Sequence, residues 1–215
     1  MVKSIPDICR RNISARILGI DDAPFQSKPR APGSEVHAVG VITSRDRFEG
    51  MLYFGGIEQD GLNAGLRLSQ TILQSKFHEQ IHAVFLDGVS MGGLNIIDID
   101  ALARAISRPV VAVMRSPPNI GKMLGAIAKL PQEEERSDSI RAAGPIHEIR
   151  GWVFQFRCQP PSQRQVENGS LATPENMADL LDKCTPTGGQ KIPECLRMAH
   201  LIGAAIKTGQ SSSSA

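Results

Sequence analysis

The sequence predicts an α/β protein on a mixed sheet, in which an antiparallel hairpin joins a parallel half flanked by helices. Three observations carry this reading. Short apolar runs at residues 16–20, 82–87 and 109–114 have the length of buried strands. Two segments with apolar residues at helical spacing, Gly61–Phe77 and Ile96–Ile106, alternate with the last two of those runs. Between the first run and the first helix stand two strand-like stretches, Glu35–Thr43 and Phe48–Ile57. Ser44-Arg45-Asp46-Arg47 joins them and has the make-up of a hairpin turn.

Taken in order, residues 16–20 form the first strand, and a Pro- and Gly-containing loop follows through Gly33. Val36, Ala38, Val39, Val41 and Ile42 make the next stretch a strand, and its hairpin partner ends at Ile57. Leu62, Leu66, Leu68, Ile72 and Leu73 then recur at helical spacing, with Asp60 where an N-cap belongs. His82–Asp87, bounded by Gly88, and Pro109–Met114 read as buried strands either side of the second helix. Strand–helix–strand–helix–strand implies right-handed parallel crossovers. Asn119–Leu130 and the charged Glu133–Ala143 read as further helices. Gly151–Cys158 reads as a late strand, alone or paired with Ile146–Ile149. Residues 159–174 are polar and read as a surface loop, and Glu194–Lys207 as a terminal amphipathic helix. Ser211–Ser214 is low-complexity, so 208–215 is expected to be a disordered tail on a single domain spanning 1–215. A meander feeding a parallel half is the element order of the ribonuclease H-like fold.

Composition sets the outer bounds. With 215 residues, 41% hydrophobic and 21% charged, the chain can bury a real core. A net charge of +2 does not by itself announce a nucleic-acid partner, though a local basic stripe would suffice for one. Cys9, Cys158, Cys184 and Cys195 lack the short paired spacing of zinc or redox motifs and read as reduced thiols. There is no apolar run of roughly 18 residues and no apolar signal core near the N-terminus. The expectation is a cytoplasmic protein without a membrane partner.

Three sites compete for the chemistry. The first is Asp21, Asp60 and Asp87. Asp21 and Asp87 end buried strands at matching positions, and open α/β sheets place ligands at that carboxyl edge. Asp60 opens the helix after the hairpin. Converging carboxylates repel one another unless a hard divalent cation, Mg²⁺ or Mn²⁺, sits between them. Such a cation supports phosphodiester cleavage. The plainer reading makes each Asp a turn residue or a cap. The second site is Gly88-Val89-Ser90-Met91-Gly92, which matches a nucleophile elbow and would make Ser90 the nucleophile of a serine hydrolase, with His147 and His200 downstream. Gly92-Gly93-Leu94-Asn95, however, delays the helix that the elbow requires. The third, His78-Glu79-Gln80-Ile81-His82, matches a zinc-protease motif but straddles a helix end and a strand start, which breaks its geometry.

The stretches "RILGIDDAPF", "GVITSRDRFEGML", "DGLNA", "AVFLDGVSMGGLNIIDI", "PVVAVMR" and "PECLRMAHLIGAAI" resemble an archaeal family, the domain of unknown function ninety-nine. That family is regarded as a relative of endonuclease V, with the ribonuclease H-like fold, and the likeness runs from about Arg16 to Lys207. The resemblance implies that Gly19-Ile20-Asp21, Asp60-Gly61 and Leu86-Asp87-Gly88 correspond to the three acidic metal-binding positions of endonuclease V. The second of these is a Glu in that enzyme. Two endonuclease V features lack counterparts: the His that follows its last Asp-Gly, and its Pro-Tyr-Ile-Pro wedge, near Tyr53-Phe54-Gly55-Gly56 here.

The expected activity is Mg²⁺- or Mn²⁺-dependent cleavage of DNA or RNA by Asp21, Asp60 and Asp87. Asp22 stands as a supporting or alternative ligand, and Arg45, Arg47 and Arg115 as candidate phosphate contacts, against the plainer and preferred reading of a solvated surface. The competing expectation is a non-catalytic module that holds nucleic acid or a protein on the same sheet edge.

Overall fold

A computed structural model describes residues 3–26, 31–160 and 171–211. A seven-stranded mixed sheet runs through the molecule in the order β3-β2-β1-β4-β7-β9-β8. Its elements are β1 (Arg16–Asp22), β2 (Glu35–Ser44), β3 (Arg47–Glu58), β4 (Ala83–Asp87), β7 (Val110–Met114), β8 (His147–Ile149) and β9 (Trp152–Arg157). The expected mixed α/β sheet is present: β1, β2 and β3 pair antiparallel, while β1, β4 and β7 pair parallel. The late strand is a pair, β8 with β9, added antiparallel to β7.

Strand alternation divides the core. Leu18 and Ile20 of β1, with Val84 and Leu86 of β4, pack on one face beneath helices α2 (Ala64–Gln74) and α3 (Ile99–Ile106). Ile17, Ala83, Phe85, Val111 and Val113 face the other side. There they meet α1 (Ile5–Arg10), α6 (Pro174–Lys183) and α7 (Glu194–Thr208). Helices α4 (Ile120–Ile127) and α5 (Glu133–Ala142), close to their expected spans, pack against each other and against Ile96 through Ile127 and Ile140. Gly19 lets α7 lie directly on β1: a Cβ there would stand 2.6 Å from the Cys195 carbonyl carbon.

Several expectations change. The first long helix starts three residues later than its pattern suggests, with Asn63 at the N-cap position and the Ala64 N–H donating to Asn95 Oδ1. Residues 90–96 hold a small hairpin, β5 (Ser90–Met91) with β6 (Asn95–Ile96), so α3 begins only at Ile99 with Asp98 as its cap. α7 continues through Thr208 to a Gly209 C-cap, so residue 208, expected in the tail, belongs to the helix. Residues 212–215 and most of the 159–174 loop lie outside the described residues. Helices α1 and α6 are additions to the sequence reading. No helix among the described residues is long and apolar enough to cross a membrane.

Candidate active site

β1 and β4 are adjacent and parallel, with Ile20 opposite Leu86. The next residue on each strand, Asp21 and Asp87, therefore stands side by side at the carboxyl edge. Alternation from Ile17 and Phe85 turns both toward the α7 side. They line one cleft of about 240 Å³, walled by Val113, Ile192 and Leu196, with Arg115, Lys191, Arg197 and His200 among its polar members. Val113 faces this side, so Arg115, two residues on, faces it too.

His200 reaches Asp21 because α7 climbs along β1. Leu196 lies over Gly19, and Gly203 over Ala23. From 19 to 21 the strand rises about 6.6 Å and from 196 to 200 the helix about 6 Å, so the two stay level. His200 Nδ1 donates to Asp21 Oδ2 at 2.8 Å.

The acids are held against their own repulsion. The Asp21 carboxyl is pushed up to about 6, first by burial and then by the charges of Asp87 and Asp22, with His200 opposing. Asp87 is exposed at its tip, yet partial desolvation in the cleft raises it, tempered by Arg115 and His200. Asp22 alternates to the opposite face. Burial raises it, and its Oδ2 accepts the Gly92 N–H at 2.5 Å. Its own N–H donates to Asp21 Oδ1 at 2.8 Å.

Asp60 is not the helix cap that its position suggests. It sits in a turn after β3 with φ +54°, and its Oδ1 accepts the Leu94 N–H at 2.9 Å. It is not among the residues lining the Asp21–Asp87 cleft. Arg45 and Arg47 lie at the β2–β3 turn, beside the start of β1, since Ser44 pairs with Arg16. Five residues of strand, about 17 Å, separate that end from Asp21. Arg47 pairs with Glu49, and Arg45 reaches Asn12. The structure therefore takes both away from the cleft and leaves Arg115 there.

Ser90 lies in the β5–β6 hairpin rather than at a helix entry, so the elbow geometry is absent. His78 and His82 follow the end of α2 and turn to different partners, the Ile106 carbonyl and the Arg16 N–H. His200 was visible in the sequence only as a distant histidine; 179 residues separate it from Asp21, and no local spacing links them.

Asp21 and Asp87 are the groups suited to a cation. Both are hard oxygen donors, and the charges set against them are those of His200 and Arg115. Among the described residues, no three His, Cys, Asp or Glu side chains come close enough to encase a metal by themselves. A cation here would complete its shell with water or phosphate oxygens, as Mg²⁺ commonly does.

The mixed α/β sheet flanked by helices is similar in fold to endonuclease V. The chain has a TM-score of 0.52 and 14% identity to endonuclease V of Ciona intestinalis, solved with an inosine-containing DNA, across 93% of this chain and 88% of that one. It belongs to the endonuclease dU family, which it matches over residues 14–207. A UPF0215 protein of Archaeoglobus fulgidus is 34% identical over 91% of this chain and 96% of its own length. A UPF0215 protein of Methanosarcina barkeri is 36% identical over 91% of this chain and 92% of its own. A crystal structure of a protein of unknown function from Archaeoglobus fulgidus aligns with TM-score 0.76 and 33% identity, over 89% of this chain and 98% of that one. These matches bear out the family resemblance drawn from the sequence.

Proposed function

We propose that this protein cleaves phosphodiester bonds of nucleic acid using Mg²⁺ or Mn²⁺ held by Asp21 and Asp87. The observation that carries this reading is the placement of Asp21 and Asp87 side by side at two parallel strand ends, in one cleft with Arg115 and His200; burial and the charges of Asp87 and Asp22 push the Asp21 carboxyl up to about 6. A fold has no structural need to hold three repelling carboxylates at one strand edge, and a cation would relieve the cost.

When bound, the cation would polarise the scissile phosphate and activate a water. The protein supplies the frame. Asp21 fixes His200 through Nδ1, which leaves Nε2 as the atom able to give or take a proton. Asp22, anchored to the Gly92 N–H, braces Asp21 from below the sheet. Arg115 offers a phosphate contact in the cleft. Asp60 remains a candidate third ligand by its resemblance to the endonuclease V position.

The family's description, endonuclease dU, makes DNA carrying deoxyuridine the first substrate to test. End-labelled DNA with a single deoxyuridine, deoxyinosine or no altered base, and matching RNA, would be incubated with Mn²⁺. Metal-dependent nicking that Asp21→Asn abolishes is the expected result. Binding of these strands without nicking under any metal would instead favour the non-catalytic module.

A further inference from the structure

Arg136 is among the largest buried side chains of the described residues, 2% exposed. A guanidinium in such a place needs its donors satisfied, because an uncompensated buried charge is far costlier than an apolar side chain of that size. Main-chain carbonyls do this. Nε donates to Pro131 O at 3.0 Å, Nη1 to Gly61 O at 2.9 Å and Leu94 O at 2.5 Å, and Nη2 to Asp60 O at 2.6 Å. These carbonyls come from three segments: the approach to α5, the turn after β3, and the β5–β6 turn.

The last two segments also bond to each other. The Asp60 N–H donates to Gly92 O at 2.9 Å, and the Leu94 N–H to Asp60 Oδ1 at 2.9 Å. Asp60 keeps a left-handed φ of +54°, which a non-glycine residue holds only when its surroundings impose it. From Gly92 the network reaches the acids: its N–H donates to Asp22 Oδ2, and the Asp22 N–H donates to Asp21 Oδ1.

We infer that Arg136 is a positioning residue for the acidic edge. Through the Asp60, Gly61 and Leu94 carbonyls it fixes the Gly92–Leu94 turn, and through the Gly92 amide it sets where Asp22 and Asp21 stand. Its catalytic consequence rests on the proposed nuclease reading; its effect on the turn does not. A lysine, a single point of donation, cannot span three segments. A residue that merely glues the loops would lower stability and leave metal affinity alone.

The test compares wild type with Arg136→Lys and Gly93→Ala. The second disturbs the same turn from its other side, since a Cβ at 93 would lie 2.6 Å from Asp60 Oδ1. Amide hydrogen exchange, the Mn²⁺ dissociation constant with the metal alone, and kcat and KM on deoxyuridine DNA are measured on folded protein. The expected result is faster exchange at Gly92 and Leu94, with β1 and β4 amides still protected. Mn²⁺ affinity falls about tenfold, as for residues that orient metal ligands, and kcat falls with KM unchanged. If Arg136→Lys does not fold, Gly93→Ala carries the same readouts. Unchanged exchange and Mn²⁺ affinity in a folded variant overturn the inference. If wild type neither binds Mn²⁺ nor cleaves DNA, the nuclease reading fails; faster exchange at Gly92 and Leu94 then supports the positioning role, and unchanged exchange overturns it.

Discussion

Replacing Asp21 by Asn is expected to stabilise the metal-free protein at neutral pH, although it alters a hydrogen-bonded, 7%-exposed residue. The folded carboxyl titrates at about 6 against an ordinary value of 3.8, a gap of about two units. At 1.36 kcal/mol per unit, that is about 3 kcal/mol of stability present below pH 3.8 and lost as pH rises through 6. The sign follows from the folded state binding the proton more tightly than the unfolded chain. Asn carries no charge, so it escapes the loss, and its Oδ1 still accepts the Asp22 N–H. Its Nδ2, a donor, then faces His200 Nδ1, so that bond is kept only if the imidazole changes tautomer and Nδ1 accepts; the net gain at pH 7.5 should be about 1–3 kcal/mol, or roughly 3–8 °C in Tm for a chain of this size. Thermal unfolding in EDTA at pH 4 and pH 7.5 measures it. The Asn variant should lead at pH 7.5 and lose that lead at pH 4, where wild-type Asp21 is mostly protonated. A variant less stable than wild type by the same margin at both pH values would refute the reasoning.

Gly19→Ala should cost about 1–3 kcal/mol, the usual range for overpacking, because its Cβ meets the α7 backbone. Lifting α7 should also separate His200 from Asp21, so kcat in the cleavage assay falls more than stability alone explains. Asp60→Asn should fold normally, since Asn tolerates positive φ and its Oδ1 can take the Leu94 N–H; a smaller Mn²⁺-induced rise in Tm would mark Asp60 as a ligand, and an unchanged one would remove it. Arg115→Ala should raise KM for DNA severalfold, whereas Arg45→Ala with Arg47→Ala should leave it within twofold, as binding titrations would show.

The sheet was legible because its strands are short apolar runs with abrupt ends, and the matching ends of "RILGID" and "AVFLD" located Asp21 and Asp87. Helix starts were less legible. Asp60 has the residue type of a cap, but it stands in a left-handed bend bonded to the 92–94 turn, and Asn63 stands at the N-cap position. Helix α6 carried readable signals in Thr173-Pro174-Glu175-Asn176, a capping box with Pro at the first turn, followed by buried Met177, Ala178, Leu180 and Leu181. His200 and Arg136 were illegible for another reason. His200 acts on Asp21 across the whole fold, and Arg136 sits in a helix of charged residues, where nothing local marks one arginine as buried. Nothing local told whether Arg45 and Arg47 contact phosphate or simply face solvent; the pairing of Ser44 with Arg16 puts them at the other end of β1 from Asp21.

The most direct test of the acidic edge is anomalous diffraction from crystals soaked in Mn²⁺. A manganese peak in contact with both the Asp21 and Asp87 carboxylates, lost in Asp21→Asn crystals, is the expected result. Manganese bound elsewhere, or none at saturating concentration while both carboxylates remain ordered, would contradict it.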